Sequence, residues 1–169
     1  MKLSLRAICV CIALAPGVAS AQQSWNAVGS SDMSWMVFKL YNITLLTDNG
    51  SYSPKVLPQA LEISYYRNID KEDLVKATDG QWENLGISKA QRNEWLPELL
   101  SLWPDIKKKD TLRFEVDTSG SNMFLYNGEP IGGIQSPGFS QAFLDIWLST
   151  KTSRPALRKR LINGQSGNV

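Results

Sequence analysis

The sequence predicts an α+β fold: a large antiparallel sheet with a helical layer on one face. Three observations carry that expectation. Strand-like and helix-like segments come in blocks (strands, helices, strands, helices) and do not alternate singly as in parallel-sheet proteins. Residues 60–66 alternate cleanly, with Leu61, Ile63 and Tyr65 on one side and Glu62 and Ser64 on the other, as in a sheet with one buried face. Asn127-Gly128 sits between two short strand-like runs, the pair that closes a tight hairpin.

Along the chain, residues 35–46 ("WMVFKLYNITLL") are β-rich and apolar on both faces, as a central strand would be. Residues 47–58 are turn-rich, with Asn49-Gly50 as a tight-turn signal. After the strand at 60–66, Asp70 is the expected N-cap, its carboxylate able to accept the free N–H groups of a first helical turn. Leu74, Thr78, Trp82 and Leu85 follow at helical spacing. Ser88-Lys89-Ala90-Gln91 has the form of a capping box and opens a second helix. Its apolar stripe is Trp95, Leu99, Leu102 and Trp103, and Pro97 is expected to kink or split it. Residues 110–117 return to strand with Leu112, Phe114 and Val116 inward, and the hairpin runs from 123 to 134. Ser136-Pro137 is expected to start a third helix with Phe139, Phe143, Ile146 and Trp147 as its core stripe. A last helix spans about 155–162 and stops at Asn163-Gly164.

The N-terminus reads as a cleaved secretory signal peptide over residues 1–21. Lys2 and Arg6 precede an apolar run that Pro16 ends, and Ala19-Ser20-Ala21 has the small-x-small pattern of a cleavage site. A periplasmic or secreted location follows, with residues 22–169 as a single domain whose polar tail frays from about 165. No transmembrane segment is expected after cleavage, because the apolar run is shorter than the roughly 20 residues a spanning helix needs.

Composition narrows the chemistry. Both cysteines, Cys9 and Cys11, leave with the signal, and the sequence has 0 histidines. Nucleophile systems built on histidine are therefore excluded, and no metal or cofactor is called for. The chain has 18 Lys+Arg against 16 Asp+Glu, and removing Lys2 and Arg6 makes the two signs equal. No global field favours nucleic acid. The basic run Arg158-Lys159-Arg160 fits a solvated last helix, since Leu157 and Leu161 can face the core together and cations suit a helix C-terminus. Lys107-Lys108-Lys109 reads as a solvated loop, and the scattered carboxylates select no common face. Arg67, directly after Tyr65-Tyr66, is a candidate guanidinium for a carboxylate ligand.

The segments "SWMVFKLYNITLL", "ALEISYYRNIDKEDL", "LWPDIKKKDTLRF", "FLYNGEPIGGI" and "AFLDIWLSTKTSRPALRKRLI" occur in that order. As a set they resemble the bacterial, exported, chalcone isomerase-like proteins, over about residues 28–164. The resemblance implies a large antiparallel sheet with helices on one face and a smaller sheet beside it. It also brings a division of functions among its members, and the bacterial exported ones lend no activity of their own. Plant members isomerise chalcones with an arginine on an early strand, a threonine, a tyrosine and asparagine from the helical layer, and a Ser/Thr near the C-terminal block. Related plastid members bind fatty acids, with an arginine and a tyrosine holding the carboxylate.

Carried over residue by residue, the catalytic set is missing. Residues 29–34 contain no arginine, and Asp32 stands near its expected place. Tyr41 stands where the strand threonine is expected, a replacement that suits the fatty-acid-binding pattern. Trp82 is the only aromatic of the helix at 74–85, and Asp145 or Ile146 takes the C-terminal hydroxyl position. An enolate-forming cyclisation needs donors or a cation for its oxyanion, and none is evident. No catalytic residue is assigned.

The resulting expectation is an exported, non-catalytic domain that binds a small apolar or amphipathic ligand, such as a fatty acid, near Tyr41 and Arg67. An intramolecular lyase with a rearranged site and an envelope protein-interaction platform with an unspecified partner are the alternatives. An apolar cleft beside Tyr41 favours binding, and a filled core favours the platform.

Overall fold

Six strands and four helices account for the ordered elements of a computed structural model that describes residues 23–164. The expected signal peptide and the tail from 165 lie outside the described residues. The strands are β1 (Asn26–Trp35), β2 (Phe38–Thr47), β3 (Gln59–Tyr65), β4 (Thr111–Val116), β5 (Asn122–Tyr126) and β6 (Glu129–Gly132). They form one sheet in sequence order, antiparallel throughout. Helices α1 (Lys71–Asn84) and α2 (Lys89–Leu102) intervene between β3 and β4, and α3 (Phe139–Leu148) and α4 (Pro155–Ile162) follow β6. This is the α+β arrangement expected, a large antiparallel sheet with a helical layer. All six strands lie in the one sheet, so the smaller second sheet implied by the resemblance is not found among the described residues.

Register explains the two faces. Ile43 pairs with Ile63 and Ile63 with Leu112, while Leu45 pairs with Leu61 and Leu61 with Phe114, which places a buried apolar stripe under the helices. The next residue along each strand points the other way, where Thr44, Glu62 and Arg113 align. Arg113 pairs there with Glu62 at 2.5 Å and Glu115 at 3.3 Å. The core between the layers is aromatic: Phe114, Phe124, Phe139 and Phe143 pack together, and Trp82 meets Trp95 edge-on at 5.3 Å. The Trp82 indole N–H donates to the Ala142 carbonyl at 3.0 Å, so this large side chain is buried with its polar atom satisfied.

Several local expectations are met. Asn127 and Gly128 both have positive φ, 52° and 88°, as a type I′ turn requires. The Ser88 hydroxyl accepts from the Gln91 N–H at 3.3 Å. Others are corrected. Residues 35–46 are not one strand: Trp35 ends β1, Met36-Val37 form the turn, and β2 begins at Phe38. Helix α3 starts at Phe139, because Gly138 stands at φ 82°, outside helical space, and Pro137 precedes it. Asp70 occupies the N-cap position of α1 without a side-chain cap bond, and Asp105 accepts from the Lys71 N–H at 3.1 Å. Pro97 sits inside an unbroken α2; the Asn93 carbonyl it leaves without an intrahelical donor belongs to an exposed residue and can be solvated.

The basic last helix is scaffold. Leu157 and Leu161 are buried, the Arg158 Nε donates to the Leu148 carbonyl at 2.7 Å, and the Arg160 Nε donates to the Ser31 hydroxyl at 3.0 Å. Helix α4 thereby clamps β1 at the sheet edge.

Candidate functional site

A β-bulge shapes the site. Met33 pairs with Tyr41 and Ser34 with Lys39, which leaves Leu40 as an extra residue on β2. Leu40 and Tyr41, although consecutive, therefore both line a cavity of about 160 Å³ between the sheet and the helical layer. Met33, Ile63, Tyr65 and Leu112 complete its sheet side. Helix α1 contributes Leu74, Ala77, Thr78 and Gln81, helix α3 contributes Phe143, Ile146 and Trp147, and Trp103 and Arg154 complete the lining. Ala77 and Arg154 are exposed and mark the mouth.

The lining is apolar with a few placed polar groups. Trp147 donates its indole N–H to the Tyr41 hydroxyl at 3.1 Å, and the Tyr41 and Tyr65 rings meet edge-on at 5.9 Å. Thr78 donates to the Leu74 carbonyl at 2.9 Å, and the Gln81 side-chain oxygen accepts from Ser153 at 2.5 Å. Burial pushes the Tyr41 phenol up, opposed by the Trp147 hydrogen bond and the Arg154 charge, and burial pushes Tyr65 up as well. Both phenols are therefore neutral at physiological pH and able to donate. The Trp103 indole N–H is buried with no hydrogen-bond partner among the described residues. No carboxylate lines the cavity, and Arg154 is its only cation.

The two residues singled out from sequence separate here. Tyr41 lines the cavity. Arg67 is exposed, outside the lining, with its guanidinium 5.1 Å from the Phe38 ring centroid. Sequence reasoning missed Arg154 as a site residue; the available signal was its place directly before Pro155, where the chain turns back over the sheet into α4. It also left Tyr65 as a core residue, although its inward phase was legible.

The positions matched to the plant catalytic set are otherwise occupied. Asp32 faces away from the helices and accepts from Asn42 and Tyr66, each at 2.9 Å, while Lys39 pairs with it at 2.6 Å. The Lys39 contact holds its carboxyl below the usual carboxylate range. Trp82 is committed to the core. Asp145 accepts from Gln141 at 2.9 Å, and Ile146 lines the cavity with its aliphatic side chain. Among the described residues no group of three His, Cys, Asp or Glu could hold a metal ion, and no helix is long and apolar enough to cross a membrane.

An uncharacterized protein of Haemophilus influenzae is 24% identical over 144 residues, which cover 85% of this chain and 71% of that protein. The crystal structure of a fatty-acid binding protein of Arabidopsis thaliana superposes with a TM-score of 0.65 at 14% identity, covering 86% of this chain and 90% of that one. That likeness is one of fold. The family model described as chalcone isomerase-like matches residues 18–163, and the chain belongs to that family.

Proposed function

We propose that the protein binds a small apolar or amphipathic molecule, of the fatty-acid type, in the cavity beside Tyr41 without catalysing a reaction on it. The observation that carries this reading is an apolar cavity whose polar groups, Tyr41, Tyr65 and Arg154, suit one polar end of a ligand. In this reading Arg154, and not Arg67, is the cation that meets a carboxylate at the mouth. The unpartnered Trp103 N–H is a further donor that a ligand or an ordered water would satisfy. The volume of about 160 Å³ is close to that of cavities of roughly 150 Å³ that accept benzene. It suits a short chain or a single ring, and a long acyl chain requires α1 and α3 to move apart. The plant relative of similar fold is a fatty-acid binding protein, which supports the ligand class. The carboxylate Asp32, bound by Lys39 on the opposite face, supports a non-catalytic reading, because an enolate needs positive charge or donors beside it.

The test is a titration with saturated fatty acids from hexanoate to palmitate, read by tryptophan fluorescence, since Trp103 and Trp147 line the cavity. Lipid mass spectrometry of protein purified from its native host accompanies it. Saturable quenching or enhancement and a co-purified carboxylate are expected; a clean extract with no fluorescence change across the series overturns the proposal. We also propose export after cleavage at Ala21, for which a mature chain starting at Gln22 is the expected result and a chain retaining Met1 the refuting one.

A further inference from the structure

The β1–β2 turn places apolar residues where hairpins usually place polar ones. Trp35, Met36, Val37 and Phe38 are 62%, 78%, 87% and 52% exposed, a continuous apolar tip. Met36 stands at φ 55° and Val37 has no positive φ, the pattern of a type II′ turn, whose first central residue is ordinarily glycine. A methionine there carries backbone strain and leaves its side chain in water, so ordinary turn chemistry does not account for the choice. Tyr66, 37% exposed, donates its N–H to the Leu40 carbonyl beside the tip. Two cations flank it: Lys39, and Arg67 over the Phe38 ring. Lys39 neutralises Asp32, and Arg67 makes no ion pair among the described residues.

We propose that this tip inserts into the interfacial layer of a lipid bilayer carrying anionic headgroups. Trp, Tyr and Phe with Lys and Arg alongside are the side chains that settle at such an interface, rings toward the acyl chains and charges toward phosphate. A protein partner fits less well. A stable interface buries about 800 Å² per side through roughly 20–30 residues, and a four-residue protrusion cannot supply that, whereas a bilayer needs no complementary shape. Alternation also links the tip to the cavity: Met33 and Trp35 fall on one face of β1, and Leu40 and Phe38 on the matching face of β2. The apolar lining thus continues outward to the tip, and docking brings the mouth to the lipid surface. Docking of this tip requires no bound ligand.

The chain from Gln22 is used, because among the described residues the strands, helices and core run from Asn26 to Ile162 and the apolar run near the N-terminus would itself bind lipid. Sedimentation with phosphatidylglycerol–phosphatidylcholine vesicles is compared with phosphatidylcholine alone. The variant Met36→Gly/Val37→Ser supplies the residues the turn prefers and so keeps the fold. Association with the anionic vesicles is expected, weakened by salt, and about tenfold or more weaker in the variant at an unchanged or raised thermal midpoint. Failure to sediment with either vesicle overturns the proposal, as does undiminished binding by the variant. Concentration-dependent self-association that the variant abolishes, without vesicle binding, also overturns it and makes the tip a protein contact.

Discussion

Replacing Gly29 by alanine should unseat α4. A methyl group there would lie 2.5 Å from the carbonyl oxygens of both Arg160 and Leu161, whereas ordinary contact begins at 3.4 Å. Both obstacles are backbone, so relief requires the helix to retreat by roughly 0.9 Å, enough to forfeit a quarter to a half of the contact energy beneath it. Leu157 and Leu161 are 4% and 0% exposed, and burying each fully stabilises the fold by about 1.5–3 kcal/mol. Losing up to half of both, together with about 1 kcal/mol for the 3.0 Å Arg160–Ser31 bond, gives a destabilisation of about 3 kcal/mol. At about 2–4 °C per kcal/mol the thermal midpoint falls by roughly 6–12 °C. Urea unfolding followed by tryptophan fluorescence, with calorimetry beside it, measures the loss. Gly80→Ala is the control: it lies inside α1, nothing stands within 4 Å of its added Cβ, and it should stabilise by about 0.5–1 kcal/mol. A Gly29→Ala protein within about 1 kcal/mol of the wild type would refute the packing argument.

Tyr41→Phe removes the acceptor of the Trp147 N–H and should cost about 1–3 kcal/mol in urea unfolding, while weakening carboxylate ligands more than their methyl esters. Arg154→Gln, at an exposed position on the mouth, should leave stability within about 0.5 kcal/mol and lower fatty-acid affinity about tenfold, with ester affinity unchanged in the same fluorescence titration. Asp32 has a folded pKa below its ordinary 3.8, so its contribution is present above that value and lost as pH falls through the lower folded one. The urea midpoint gap between wild type and Asp32→Asn should accordingly hold from about pH 6 to about pH 4 and narrow at lower pH, and a gap constant throughout would remove the ion pair as its cause.

Much of the fold was legible because local chemistry and burial agree. Leu61, Ile63 and Tyr65 alternate and are all buried; Asn127-Gly128 has the one turn its residues favour; Leu157 and Leu161, one helical turn apart, both reach the core. Strand β1 was illegible for a physical reason. It is an edge strand crossed by α4, so the positions facing the helix must be small, and Gly29 and Ser31 carry no apolar strand signal. Helix α3 starts later than Ser136-Pro137 predicts, because Ser-Pro is a sound helix opening and only the left-handed Gly138 makes the chain turn once more first. At the site, Tyr41 could be singled out because it lies on a strand of known phase. Arg154 could not, since its approach to Tyr41 spans residues far apart in sequence.

The bulge at Leu40 shows why single-residue detail decides this site. With strict alternation from Tyr41, Leu40 would point away from the helices, Lys39 toward the cavity and Phe38 outward. The extra residue reverses all three. Leu40 joins the lining, and Lys39 reaches the outer face, where its 2.6 Å contact with Asp32 records the direction. Phe38 returns to the cavity side opposite its register partner Trp35. One inserted residue therefore keeps a cation out of an apolar cavity, holds Asp32 in an ion pair, and aligns the exposed aromatic tip with the lining behind it. A strand without the bulge could keep the same sheet and core, but it would place a lysine in the cavity.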